Sequence, residues 1–454
     1  MSLISQIALT GLQASQIALA TTAQNTANRN TAGYSRLHAV LQSRMGPVAG
    51  QGGGVDVAAI RRIADGFQNQ QLWRAGAEQQ LHAGARPYFQ AVESLVAGEG
   101  TSISTGLDRF FGAVSEASAT PSSQALRQQL LVEAGNLAQR FNGLSSGLQN
   151  QLDGLMGQRE ALVTDINGIT ANLALLNRRI IETKALGGDV ATLQDHRDEV
   201  VKALGQHVQL RTLETPDGAY DITLASGQPL VIGDTASHLE VVRDADNQQH
   251  IELQFAGTRA GLSPKGLGGT LGALHVTETQ LLRPNQALLR EMAGQFAEQV
   301  NDVLADGFDR QGNPGQALFR FEPGSVSQLL TLTGIGPDQL AFSDAPGEAG
   351  NNRTLLALYE VRRQPVVLGG SPTTFHDAYA GLVGQVASAS RQNQDDLAAA
   401  TEVTRQAQAL RDGTSAVNGD EEAANLIAYQ QAYQANMKVI ATANTLFDAM
   451  LASF

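Results

Sequence analysis

The chain contains no cysteine, which excludes disulfides, thiolate metal sites and thiol nucleophiles. Charged residues fill only 17% of its 454 positions, below the roughly 25% of an ordinary soluble chain. Aromatics make up 5%, with Trp73 the sole tryptophan, and there are 13 prolines. Few charges and few prolines favour long helices that spend part of their surface against other protein. No run reaches the ~18 consecutive apolar residues of a membrane span, so membrane insertion is not expected. The first charged residue is Arg29, so the start of the chain lacks the positive region of a secretory signal. A net charge of −13 argues against nucleic acid or an anionic membrane surface as the main partner.

What is present is helical periodicity at both ends. Residues 1–28 carry no charge and read as one helix. Its apolar residues, among them Leu12, Ile17 and Leu19, cover an arc far wider than the ~100° stripe of a surface helix. A helix apolar over most of its circumference is normally buried, yet at a chain terminus fraying is the default. Two readings meet that tension: a helix docked in the chain's own core, and a helix kept for contact with other subunits. From Glu421 to Phe454 a seven-residue spacing links Leu426, Tyr433, Ile440 and Phe447, and a second row holds Tyr429, Asn436, Ala443 and Met450. This is an a/d seam over almost four heptads. Asp420, Glu421 and Glu422 suit its N-terminus. Asn25 and Asn28 are expected to meet Asn436 and Asn444 across the seam.

Between the ends, residues 37–70 read as loop-rich, with a helical pattern beginning near Ala64. The longest periodic segment covers about 122–184, with a seam from Phe141 through Leu144, Leu148, Leu155, Leu162, Ile166, Ile169, Leu173 and Leu176 to Ile180. Further helices are expected over about 284–304 and 375–410. From His207 the period changes to two. Segments 207–214, 219–225, 229–233, 237–243 and 249–255 read as strands, separated by turns such as Pro216-Asp217-Gly218 and Asp246-Asn247. A little more strand is expected within 315–345.

The fold class is therefore mainly α with a small β insertion. Paired terminal helices form a coiled coil, followed inward by an elongated helical-bundle domain and an antiparallel β domain in mid-chain. The expected division is 1–60 with 415–454 as the terminal assembly domain, 61–205 with 266–414 as the helical domain, and 206–265 as the β domain. Three domains agree with the length. If outer segments pair with outer, the termini meet at one end and the β domain lies at the other.

No constellation supports catalysis. Gly143-Leu144-Ser145-Ser146-Gly147 has the spacing of a nucleophile elbow but lies in the helical seam, without the strand-turn-helix context that motif needs. Gly266, Gly268, Gly269 and Gly272 miss a dinucleotide fingerprint, since Leu271 takes the third glycine slot; a flexible link is expected there. Asp195-His196-Arg197-Asp198-Glu199 alternates sign along a helix and reads as a solvated charged face. Asp306, Asp309 and Asn313 break calcium-loop spacing and read as a turn. No metal and no cofactor is expected, and the chain reads as a non-enzyme.

One segment stands out, Asn25-Thr26-Ala27-Asn28-Arg29-Asn30-Thr31-Ala32-Gly33-Tyr34-Ser35-Arg36. Asn30 or Thr31 stops the helix, Gly33 permits a positive φ, and Tyr34 offers an apolar ring with a polar tip. The segment resembles the N-terminal signature of the bacterial flagellar axial family of rod, hook and hook-associated proteins. Ala32 stands where many rod and hook members have proline, and the Ala-Gly-Tyr form resembles the hook-associated branch at the hook–filament junction. Gly53-Gly54-Val55-Asp56-Val57, Phe67 to Leu72, Ala305 to Asp309, and Ser415 to Leu426 with its continuation through Asn436 resemble further parts of that branch. Gly419 departs from the apolar residue usual there, and the β insertion is unmatched and looks small for the family.

The resemblance implies a structural, non-enzymatic protein exported unfolded, without a cleaved signal peptide, and assembled outside the cell on the flagellum. It implies itself as partner, in a ring or tube, together with the hook protein, the next hook-associated junction protein and a flagellar export chaperone. The assembly motif is then Asn28, Asn30, Thr31, Gly33, Tyr34, Ser35 and Arg36. Leu12, Ile17 and Leu19 form the N-terminal helix interface, and Leu426, Tyr429, Tyr433, Asn436, Ile440 and Phe447 the C-terminal one. Another axial protein, hook or distal rod, is the alternative. A secreted hydrolase using Ser145 or the His196 cluster is the distant one.

Overall fold

In the computed structural model, which describes residues 3–45, 52–244, 248–264 and 266–452, the first helix α1 (Leu3–Ala27) has two unlike sides. Its buried residues are all small or polar: Ser5, Ala8, Ala14, Ser15, Ala18, Thr21, Thr22 and Asn25. Its large residues Leu3, Ile4, Ile7, Leu9 and Ile17 are exposed. By length and composition alone the helix would pass for a membrane span; in the fold its polar face is packed against protein. Thr31 and Asn28 close the turn after it, and the chain reverses into β1 (Leu37–Met45) and β2 (Gly52–Arg62). These form an antiparallel hairpin with a bulge between Val40 and Leu41. The stretch read as loop-rich is thus mostly strand. Its alternation of Leu37, Ala39 and Leu41 is short and was outweighed by the glycines of β2. Gly50 and the Asp246-Asn247 turn lie outside the described residues, as do Ser2 and the final two positions.

Long helices follow: α2 (Gly66–Ala97), α3 (Ile103–Ala119), α4 (Gln124–Ala185) and α5 (Ala191–His207). Asp65 caps α2 by accepting from the amides of Phe67 and Gln68, and Ser102 caps α3 through Thr105. The predicted α4 seam from Phe141 to Ile180 is buried, except that Ile169 is half-buried. Gly147 lies against Leu95, where a Cβ would come within 2.7 Å of the leucine methyl. Gly147 therefore serves close helix packing, while Gly143 has open space beside it.

The β segment has two antiparallel sheets. One runs in the order β3 (Leu210–Glu214), β4 (Tyr220–Leu224), β5 (Pro229–Ile232), β6 (Thr235–Ala236); the other is β7 (His238–Arg243), β8 (Gln249–Phe255), β9 (Thr258–Gly261). The chain leaves them through Gly268 and Gly269, both at φ +56. A Cβ on Gly269 would stand 2.4 Å from the His207 carbonyl carbon. The expected flexible link is a tight crossing that only glycine fits.

Next come α6 (Gly269–Val276), a π-helical turn over Thr277–Leu282, and α7 (Arg283–Ala305). The remaining elements are β10 (Phe319–Phe321), β11 (Leu330–Leu332), α8 (Arg353–Glu360), β12 (Val366–Leu368), β13 (Ser371–Thr373), α9 (Phe375–Ser415) and α10 (Gly419–Ala452).

The chain forms two compact units. The first comprises residues 1–79, 163–269 and 399–454, and so holds both terminal helices and both sheets of the β segment. The second comprises 80–162 and 270–398. Its core gathers scarce aromatics: Phe296 is ringed by Phe110, Phe111, Phe141, Phe319 and Phe375 at centroid distances of 5.4–6.4 Å. Arg159, Glu278 and Arg283 form an ion triad there, with Glu278 on the π turn. The unit boundaries at 79/80, 162/163 and 398/399 fall inside α2, α4 and α9, and do not coincide with the expected divisions at 60/61, 205/206, 265/266 and 414/415.

Candidate functional site

The two chain ends meet at one side chain. Asn25, on the last turn of α1, is 1% exposed. Its Nδ2 donates to the Leu37 carbonyl at 2.9 Å, and its Oδ1 accepts from the Leu37 amide at 2.9 Å. The same Oδ1 accepts from the Tyr34 hydroxyl at 2.9 Å, and Nδ2 also donates to Glu422 Oε1 at 3.1 Å. One asparagine thus joins α1, the motif loop, β1 and the first turn of α10. The expected pairing of Asn25 and Asn28 with Asn436 and Asn444 is not what the structure shows. Asn28 turns back to the Gln24 carbonyl, Asn436 donates to the Ala432 carbonyl, and Asn444 is exposed. Asparagines one helical turn from a main-chain carbonyl satisfy themselves locally.

The motif loop is gripped on two sides. The Ser35 amide donates to Asp195 Oδ2 at 3.1 Å on α5. Gly33, at φ +78, lies so close to α5 that a Cβ would meet Glu199 Cγ at 2.2 Å. From α9, Arg411 donates to the Gly33 carbonyl at 3.1 Å, and the Ser415 carbonyl accepts from the Arg36 amide at 2.8 Å. Arg36 pairs with Glu421. Asn30 and Thr31 are exposed, whereas Ser35 is fully buried. Burial, with the nearby charges of Asp195 and Glu422, raises the Tyr34 phenol to about 12.

Behind the loop lies a buried charge cluster. Arg62 Nε donates to Asp195 Oδ1 at 2.6 Å, and Arg62 also bonds Asp198. Asn69 Nδ2 donates to Asp198 at 3.2 Å. Arg197 is 0% exposed, donates to the Gly218 carbonyl at 2.6 Å, and stacks 3.3 Å above the Tyr220 ring. Burial pushes the Asp195 carboxyl up, more than the Arg62 charge and the Ser35 amide bring it down. The Asp195–Glu199 run was expected to be a solvated face. The structure buries Arg197 and Asp198 and leaves His196 exposed. Nothing in the spacing of the run distinguishes the two cases; the partners Arg62 and Tyr220 are distant in sequence.

Along the terminal helices, α1 and α10 approach through small residues. Gly11 faces Asn436, whose Oδ1 would stand 2.7 Å from a Cβ at that position. On α10 only Glu422 and Ala443 are fully buried. Tyr429, Tyr433, Asn436 and Ile440 are half-buried, while Leu426 is 40% and Phe447 54% exposed. On α1, Ile17 is 37% exposed, with Leu12 and Leu19 half-buried. Ile427, Met437, Val439, Leu446, Met450 and Leu451 add to the exposed apolar surface. Between residues 423 and 452 only Lys438 and Asp448 are charged. A monomer seldom leaves so many large apolar side chains of two helices in water without a partner for them.

Comparison with known proteins agrees with this reading. A family model described as the flagellar hook-associated protein FlgK helical domain matches residues 89–319, just over half of the chain. A second, described as the flagellar basal body rod FlgEFG protein C-terminal, matches residues 412–453. Flagellar hook-associated protein 1 of Salmonella typhimurium is 26% identical, with 99% of this chain and 100% of that protein covered. The protein of the same name from Bacillus subtilis is 26% identical over 97% and 96%. The alignment with the Salmonella protein runs over 554 positions against 454 residues here, so that relative carries stretches this chain lacks. The flagellar hook junction protein FlgK from Burkholderia pseudomallei shares the fold, with a TM-score of 0.68 at 17% identity, covering 75% of this chain and 99% of that one. By its family match, its full-length relatives and its fold, the chain belongs to the flagellar hook-associated protein FlgK family.

Proposed function

We propose that this chain is a structural component of the bacterial flagellum, placed at the junction of hook and filament, and that it works by self-association and axial stacking. The observation that carries this is the row of large apolar side chains that α1 and α10 turn away from their own chain. Two helices that bury small residues against each other and expose large ones are arranged to bury those large ones against further copies. On this reading the hook protein lies below and the next junction protein above, and an export chaperone binds the chain before assembly. The protein acts outside the cell and as a non-enzyme. Ser145 sits inside a continuous helix beside a packing glycine, which suits no nucleophile.

The test uses Ile17→Asp and Phe447→Asp in full-length protein. Both sites are exposed, so the free chain keeps its fold, while a charge in a dry interface blocks assembly. Cells carrying either variant are expected to export the protein but to lack filaments. Normal filaments from both variants would overturn the reading.

A further inference from the structure

The motif loop spends its polar groups inside the chain. Asn25 serves α1, Tyr34, β1 and Glu422 at once. Glu422 is 3% exposed and lies at a half-enclosed cavity of about 250 Å³ that Thr21, Thr22, Asn425 and Tyr429 also line. A buried carboxylate needs hydrogen bonds, and Asn25 supplies one from the opposite helix. Arg36 is bound twice to the C-terminal side, through its amide to Ser415 and its guanidinium to Glu421. Undocking α1 therefore orphans the Leu37 main chain, the Tyr34 hydroxyl and Glu422 together. Undocking α10 removes one partner from each of Asn25 and Arg36, namely Glu422 and Glu421. Beyond its first turn α10 meets its own chain mainly through half-buried residues such as Tyr433 and Ile440, with Ala443 its only other fully buried one.

We infer that Asn25, Tyr34 and Glu422 form a latch that makes docking of α1 and α10 a single step. The self-associating face is then presented only by a chain whose two ends are both in place. These are positioning residues, and the inference rests on the proposed function only for its consequence in assembly.

Hydrogen exchange on the free, full-length chain tests it. Asn25→Ala and Glu422→Ala are each expected to speed exchange of residues 14–27 and of residues 419–436 by a similar factor, on the order of tenfold. The double variant should exchange no faster than either single one. Glu422→Gln keeps an acceptor for Asn25 and should stay within about twofold of the unaltered chain. Amides of β3–β9 should be unchanged. Tyr34→Phe removes one hydrogen bond without opening a void, and should move both helices in the same direction by less. If Glu422→Ala loosens α10 alone, if the double variant shows the product of the single effects, or if Tyr34→Phe moves only α1, the latch is wrong. Exchange is read before any assembly. Failure of the unaltered chain to self-associate would therefore sink the proposed function and leave the latch to be judged on these rates.

Discussion

The side-chain amide of Asn25 closes both main-chain hydrogen bonds of Leu37, each at 2.9 Å. The same pairing recurs between Asn142 and Leu330, Asn167 and Leu239, and Asn177 and Tyr220, at 2.8–3.1 Å. Asn301 holds the Phe319 main chain likewise. A carboxamide carries the donor and acceptor of a peptide group, so a helix bearing one can terminate a strand edge. Four of the five sheets among the described residues are tied to helices in this way, at strand positions whose main chain lacks a neighbouring strand on that side.

This pairing predicts an asymmetry between substitutions. Asn177 is fully buried, and its Nδ2 also donates to the Gly233 carbonyl at 2.6 Å. Asn177→Asp keeps the acceptor for the Tyr220 amide but turns a carboxylate oxygen towards two carbonyls. Each orphaned group costs about 1–3 kcal/mol, and the buried charge adds to that. Asn177→Asp should thus be at least as destabilising as Asn177→Ala in urea unfolding at neutral pH. An aspartate variant as stable as the original would show that the pairing does not hold the strand.

Gly33 makes a second test. Its φ of +78 is costly for any residue with a Cβ, and Glu199 fills the space a Cβ would need. Gly33→Ala should lose about 1–2 kcal/mol for the left-handed backbone alone, with the contact in addition. Adding Glu199→Ala should recover only the contact part. Full recovery in the double variant, measured by thermal unfolding, would show that backbone conformation plays no role at this position.

Much of this architecture was legible because it is periodic. The seam from Phe141 to Ile180 and the heptads from Leu426 to Phe447 specify helices by spacing alone. The strands from Leu210 to Phe255 declared themselves by alternation and turn residues. The family signature singled out residues 25–36 as the candidate assembly motif. What stayed hidden depends on partners far apart in the chain. Arg197 and Asp198 look like surface charges until Arg62 and Tyr220 are brought beside them. Asn25 is one polar residue among many on α1 until β1 folds back to it. The β1–β2 hairpin was missed because glycines dominate its second strand. The apolar arc of α1 reads as a surface for other subunits and the heptads of α10 as a seam. In the fold, small residues such as Gly11 and Ala443 lie at the contact, Tyr433 and Ile440 are half-buried, and Leu426 and Phe447 are exposed.

Glu278 gives a pH dependence with a defined sign. Burial pushes its carboxyl up, but hydrogen bonds and charge from Arg159 and Arg283 outweigh this and hold it below the usual range. A carboxyl lowered in the folded state contributes stability above its unfolded value and loses it as pH falls through the folded one. Glu278→Gln should therefore flatten the acid limb of the stability profile. At neutral pH it should cost about 3–5 kcal/mol, because Arg159 is left buried without its counter-charge. Identical acid limbs for the two proteins would remove Glu278 from the acid response.

Trypsin tests how far α10 depends on other copies. Lys438 is exposed on a helix that buries only Glu422 and Ala443 in its own chain. Arg178 and Arg179 are also exposed, but on α4, where Leu176 and Ile180 are buried on either side. Cleavage requires local opening, and opening is easier where few apolar contacts must be broken. In the free chain the cut after Lys438 should precede cuts after Arg178 and Arg179, releasing residues 439–454. In assembled flagella the same bond should resist, because neighbouring copies cover Leu446, Phe447 and Met450. Equal resistance at Lys438 and Arg179 in the free chain would mean that α10 is held fully by its own molecule. The exposed row would then lose its meaning as a surface for self-association.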